Sequence, residues 1–376
     1  MEDFIYLNNA ATSWPKPPGV AEAMSAAIIN KPGSAKRGGV ERYDVFAEVR
    51  KKMGVILGAA DYENIALGCN ATWALNSAIF GFPFERGDVV VTSKSEHNSV
   101  LRPLHELERR GIISAIYLDA DKFVAIPADE WERSMRKYNP HLAVFTHASN
   151  VTGAVNDAGK LTESAKKAGA CVLLDASQTC GLIEIHADAW GADMIAFTGH
   201  KYLLGPQGTA GLYVRPELRL EPYLFGGTGS HSELLTMPKE LPSHLEAGTG
   251  NEPSFHGLLA ALKWAEQNPV DMDDLKGKIK ALRQGLTDAG ADVIIPAGEC
   301  TPVVSFTVPG QAPHEVGYML EEGFGIISRT GLHCAAMVFA CLGRPEGNVR
   351  FSLSRFTTDD EINEAIDAIR EIANGI

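Results

Sequence analysis

Lys201 sits in the stretch Thr198-Gly-His-Lys-Tyr-Leu-Leu-Gly-Pro-Gln-Gly208, behind the apolar run Met194-Ile-Ala-Phe197. That run predicts a short buried strand, and Gly205, Pro206 and Gly208 end regular structure beyond it. A lysine at a strand end can be desolvated, which lowers its pKa and makes the amine a nucleophile toward carbonyls. Pyridoxal phosphate is one carbonyl cofactor held by lysine in this way, as a Schiff base. An ordinary solvated lysine is the competing account. A second stretch, Cys171-Val-Leu-Leu-Asp-Ala-Ser-Gln178, is an apolar strand that ends in Asp175. A pyridoxal ring nitrogen needs a carboxylate beside it, because a protonated pyridinium is the better electron sink. An aspartate in that position is also a common helix N-cap. Taken together, the two stretches favour the cofactor.

Five motifs occur in order: Ser95-Glu-His-Asn98, His147-Ala-Ser-Asn-Val-Thr-Gly153, Asp175-Ala-Ser-Gln178, Thr198-Gly-His-Lys201 and Arg329-Thr-Gly-Leu-His-Cys334. In this set the chain resembles the class V aminotransferase family, and within it the cysteine desulfurase and selenocysteine lyase branch. The likeness runs from Tyr6-Leu-Asn-Asn-Ala-Ala-Thr12 to Arg350-Phe-Ser-Leu353, nearly the whole chain. It implies pyridoxal phosphate as cofactor, with Ala71 and Thr72 on its phosphate and His97 stacked on its ring face. The start of a helix at Asn70–Thr72 would offer free amides and a favourable dipole to such an anion; an unliganded helix cap is the alternative. Asn150 and Gln178 are placed to meet the ring's phenolic oxygen, and Thr198 and His200 stand beside Lys201, the latter placed for the phosphate. Residues 1–15, with Asn9 and Ala10, are expected to line the substrate entrance. Thr249 is expected to reach the phosphate of a partner subunit, which implies a homodimer.

Two arginines near a pyridoxal site suggest recognition of an amino-acid carboxylate, since guanidinium grips carboxylate through a bidentate fork. Arg350 is assigned to that carboxylate and Arg329 to the same pocket, with surface ion pairs as the alternative. Cys334 follows a glycine turn, and a thiolate near positive charge is a usable nucleophile; a lone cysteine is more often a small buried hydrophobe. The resemblance implies conversion of L-cysteine to alanine, with the sulfur left as a persulfide on Cys334 for a thiol or acceptor protein to collect. A selenocysteine lyase would share nearly every residue named. An aminotransferase or β-lyase acting on another sulfur amino acid would not require Cys334, and a carrier protein binding the cofactor without turnover is the remaining alternative. The sequence departs from the family at Asn8, where aspartate is common, and at Leu332, where some members have histidine. The segment Ala335–Arg344 also lacks the proline and lysine often found there.

These residues need a frame. The chain has 376 residues, 45% hydrophobic and 22% charged, enough for one or two domains with a sizeable core. Apolar strands alternate with helical stretches such as Leu161–Ala168, the βαβ pattern of a mostly parallel α/β sheet. Polar motifs at the ends of those strands suit an open sheet of this kind. A long helix near Phe255–Asn268 joins this part to a different pattern. There, strands at Val303–Val308, Gly325–Ser328 and Asn348–Leu353 are separated by helices, and Thr358-Asp-Asp-Glu361 forms a capping box ahead of the last helix. The expected architecture is the fold type I of pyridoxal-phosphate transferases. It has a large domain over 16–255 with a seven-stranded type of sheet, and a small α+β domain over 256–376 with 1–15 alongside.

A formal net charge of −13 excludes nucleic acid and anionic membrane as expected partners. The six cysteines show no Cys-x-x-Cys pair and no metal-ligand spacing. The acidic N-terminus and the lack of an apolar run of membrane length point to the cytoplasm.

Overall fold

The computed structural model describes residues 4–30, 43–229 and 233–375. The glycine-rich loop at 33–39, and Ser230 and His231 of the loop starting at Gly226, lie outside them. The chain opens with β1 (Ile5–Tyr6), α1 (Val20–Ile29) and α2 (Val45–Leu57). It then runs through β2 (Ile65–Gly68), α3 (Ala71–Gly81), β3 (Asp88–Ser93), α4 (Asn98–Arg109), β4 (Ile113–Leu118), α5 (Ala128–Tyr138) and β5 (Leu142–Thr146). The alternation continues with α6 (Ala158–Lys167), β6 (Cys171–Asp175), α7 (Ala187–Trp190), β7 (Met194–Thr198) and β8 (Ala210–Val214).

These strands form one seven-stranded sheet in the order β2-β8-β7-β6-β5-β3-β4. Only β8 runs against the others, pairing antiparallel with both β2 and β7. Alternate residues of β5, β6 and β7 feed two cores. Phe145, Leu174 and Phe197 pack toward α2 and α6, while Val144, Leu173 and Ala196 pack toward α3 and α4. Strands covered on both faces are apolar at every position, which is why β5, β6 and β7 read as continuous apolar runs. Asn70 caps α3, its side chain accepting the Trp73 amide at 2.8 Å.

The remaining elements are α8 (Glu252–Gln267), α9 (Met272–Asp288), β9 (Asp292–Ile294), β10 (Val303–Thr307), α10 (Pro313–Phe324), β11 (Ile326–Ile327), β12 (Arg329–Gly331), α11 (Ala336–Cys341), β13 (Asn348–Ser352) and α12 (Asp359–Ala373). A four-stranded antiparallel sheet has the order β12-β13-β10-β9. Its core takes in Ile5 and Leu7 from the N-terminus beside Phe306, Val349, Phe351 and Ile369. The single strand expected at 325–328 is two: β11 pairs with β1, and β12 carries Arg329 across into the four-stranded sheet. The capping box is present, with Thr358 and Glu361 bonding reciprocally. No helix among the described residues is long and apolar enough to cross a membrane.

Candidate active site

Carboxyl ends of the parallel strands converge on one side of the large sheet, where an open α/β sheet places its ligand crevice. β7 ends at Thr198 and delivers Lys201 three residues on. β6 ends at Asp175, β5 leads to His147 and Asn150, and β3 leads to His97. Burial pushes the Lys201 amine down to about 8, with Arg350 adding to the depression and Asp175 and Cys334 opposing it. Lys201, Asp175, Arg350 and Cys334 are therefore electrostatic neighbours although they come from four separate segments.

Asp175 caps no helix. Its carboxylate accepts the Ser177 amide at 2.9 Å within a tight turn, and the residue is buried. His97, expected in a loop, is the N-cap of α4, its Nδ1 accepting the Ser99 amide at 3.1 Å. Burial and the nearby Lys201 push its pKa down to about 4, so the ring is neutral near pH 7. Ser99 also bonds Thr72 Oγ1 at 2.8 Å, which links the start of α4 to the start of α3 beside Ala71. Gln178 donates to the Ala10 carbonyl at 3.1 Å. Thr198 bonds the Thr209 carbonyl. The His200 carbonyl accepts from the Ser13 amide, Thr12, Ser13 and Lys16, which fastens the N-terminal segment to the lysine loop.

The second half of the site stands on β13. Asn348, Arg350 and Ser352 alternate with Val349 and Phe351, and all five are buried. The apolar pair enters the core, so the polar three share the opposite face. Arg350 donates to the Asn150 carbonyl at 2.7 Å and to Asn8 Oδ1 at 3.2 Å. Ser352 Oγ accepts the Ala10 amide at 2.9 Å, and its carbonyl accepts from Asn9 Nδ2. Arg329 lies directly across the ladder from Arg350. Among the described residues no carboxylate pairs with either arginine, and like charges directly opposite on a sheet repel. Burial and Arg329 together lower Arg350 to about 10. An uncompensated guanidinium pair of this kind is suited to hold an anion.

Cys334 is exposed and free. Thr249 lines a cavity of about 1130 Å³ with Gly68, Cys69 and Trp73, beside the start of α3. Sequence reasoning missed Ser352, Asn348, the His333 side chain and Glu96. Glu96 is fully buried, bonded to Ser93 at 2.6 Å, and pushed up to about 8 by burial, with Asp175 adding to the rise.

The family model for class-V aminotransferases matches residues 5–364. The chain belongs to this family. Within it, the chain is 31% identical to a probable cysteine desulfurase of Methanothermobacter thermautotrophicus, over 99% of this chain and 96% of that one. It is 30% identical to another of Pyrococcus abyssi, over 100% and 96%. The apo structure of a cysteine desulfurase from Thermococcus onnurineus NA1 superposes with a TM-score of 0.88 at 30% identity, covering 99% of this chain and 95% of that one. The architecture of this class-V aminotransferase is accordingly fold type I, and membership implies pyridoxal phosphate chemistry.

The side chains present fit such a group. Buried polar atoms without a protein partner recur on the segments that carry Asp175, Lys201, Cys334 and Arg350: Ser177 Oγ, Gln178 Oε1, His200 Nδ1, Tyr202 Oη, His333 Nδ1 and Arg350 Nε. A buried polar atom left unpaired costs about 1–3 kcal/mol, so a cluster of them marks a place where a polar ligand belongs.

Proposed function

We propose that this chain is a pyridoxal-phosphate-dependent cysteine desulfurase that converts L-cysteine to L-alanine and leaves the sulfur as a persulfide on Cys334. One observation carries the reading: a desolvated lysine, a buried carboxylate, an uncompensated arginine pair and an exposed thiol meet at one site. Lys201 would hold the cofactor's carbonyl carbon, Asp175 its ring nitrogen, and His97 its ring face. Asn150 and Gln178 would meet the phenolic oxygen, each with one N–H beyond the bond it already makes. Ala71, Thr72, Thr198 and His200 would serve the phosphate, and Thr249 would reach that of a second copy in a homodimer. When bound, the cofactor supplies the electron sink for charge developed at the substrate's Cα.

The chain's own residues supply the rest. Arg350, backed by Arg329, fixes the substrate carboxylate, while Asn9 and Ala10 line the entrance. With its pKa near 8, the Lys201 amine is neutral in a useful fraction at physiological pH, so it can take the α-proton and return it. The Cys334 thiolate attacks the substrate sulfur, forming the S–S bond as the Cβ–S bond breaks. The released electron pair stays with the carbon skeleton, which becomes alanine once protonated. Exposure of Cys334 leaves the new sulfane sulfur open to a second thiol or an acceptor protein, and we place the reaction in the cytoplasm.

The test is to give purified protein L-cysteine and quantify alanine while mapping added sulfur by mass spectrometry. Equal amounts of alanine and added sulfur, with the sulfur on the Cys334 peptide, are expected. Alanine without sulfur on any cysteine would overturn the persulfide route.

A further inference from the structure

Of the three polar residues on the inner face of β13, Arg350 and Ser352 have partners whose purpose is plain from the site. Asn348 does not. It is fully buried, and its Oδ1 meets Nε2 of His333. With Oδ1 as the acceptor the imidazole hydrogen sits on Nε2, and both His333 Nδ1 and Asn348 Nδ2 are buried without a protein partner. The charged groups facing this ring are Arg350 on β13 and Arg329 on β12; α11 contributes only the Phe339 ring, 5.7 Å away. Burial, then Arg350, drives His333 down to about 3, with the Asn348 bond pulling weakly the other way. An imidazole so poorly basic cannot take a proton from a thiol near neutral pH.

What the ring can hold is shape. His333 and Cys334 both have left-handed backbones, with φ of 47° and 58°. Each such non-glycine residue costs on the order of 1 kcal/mol and persists only where its surroundings over-determine it. Here they do. The His333 carbonyl accepts from Asn150 Nδ2 at 2.7 Å, and the Cys334 carbonyl accepts the Asn98 amide at 2.8 Å. The Asn348 bond fixes the ring between these two anchors. Cys334 then projects from a backbone pinned on both sides, although its side chain is exposed.

We propose that His333 and Asn348 form a positioning pair that aims the Cys334 thiol at the substrate sulfur by holding this left-handed turn, with no proton passing through the imidazole. The inference rests on Cys334 being the nucleophile.

Asn348→Leu removes the acceptor at similar volume. Misaiming a reacting atom by an ångström costs about a hundredfold, so kcat should fall about ten- to hundredfold while KM for L-cysteine and the spectrum of the bound cofactor stay unchanged. Alkylation of Cys334 by iodoacetamide should keep its wild-type rate, since a small reagent needs no aimed thiol. Asn348→Asp restores the acceptor but favours the imidazolium. Its kcat should approach wild type at alkaline pH and fall on acidification, along a limb absent from the parent. Wild-type kcat in Asn348→Leu overturns the proposal, as does a loss of kcat, affinity and cofactor together. Should Asn348→Leu fail to fold, a flat comparison between Asn348→Asp and the parent across pH overturns it instead. A parent enzyme that never carries sulfur on Cys334 breaks the underlying reading, whatever the variants do.

Discussion

Lys201 and Cys334 address the same space from different foundations. Lys201 follows β7, which lies between β8 and β6 inside a seven-stranded sheet with apolar cores on both faces. Cys334 follows β12, a three-residue strand at the edge of the four-stranded sheet, and is exposed. The amine needs desolvation to work near neutral pH, and a sheet interior supplies it. In the proposed reaction the thiol must pass its sulfur onward and needs access, so its placement falls to individual hydrogen bonds and two strained backbone residues. Burial and exposure thus divide the chemistry between them.

The two poles should respond differently to mutation. The largest effect is expected at the buried one: Lys201→Ala should lower turnover by at least about a thousandfold. Borohydride should fix the cofactor covalently to Lys201 in the parent and to no residue in the variant; a label on another lysine would move the pole elsewhere. At the exposed pole, Cys334→Ala should abolish persulfide formation yet keep the colour of the bound cofactor and the affinity for L-cysteine. Cys341→Ala, seven residues along, should change neither, and sulfur mapped to Cys341 would reassign the nucleophile.

The smallest effect sharpens the contrast through stability alone. Glu96 is raised from 4.5 to about 8 in the folded chain, so between those values the native state holds a proton that the unfolded state has lost. Stability from this group is therefore complete below about pH 4.5 and declines as pH rises toward 8. Glu96→Gln cannot ionise. Its melting temperature should gain on that of the parent between pH 5 and 8, by an amount corresponding to a few kcal/mol at most, about 1.4 per pKa unit. A constant difference across that range would show that Glu96 ionises normally.

The buried pole was legible in the sequence for a physical reason. Parallel strands covered on both faces are continuously apolar, so Met194–Phe197 and Cys171–Leu174 stand out, and the first polar residues after them fall at the site. The exposed pole was less so. Arg329 and Cys334 could be named from their motif, but β11 and β12 are too short to show a period. The contact between His333 and Asn348 joins residues fifteen apart through an antiparallel ladder that no local pattern reveals. One signal was available in Asn348-Val-Arg-Phe-Ser352. Strict alternation there ordinarily means a polar face toward water, and here that face is turned inward to the site. His97 gave no sign of being a cap, since histidine is not among the usual capping residues.

Gly347 has φ of 88°, and a Cβ added to it would lie 2.3 Å from the backbone of Gly331. The two glycines therefore close the neck of everything between them, including Cys334 and α11. A segment whose entrance and exit touch leaves and rejoins the sheet at one place, so chain inserted within it lengthens the loop without respacing β12 and β13. The loop over 332–346 thus stands on a fixed base, and that base holds Arg329 and Arg350 opposite one another whatever the length of chain above it.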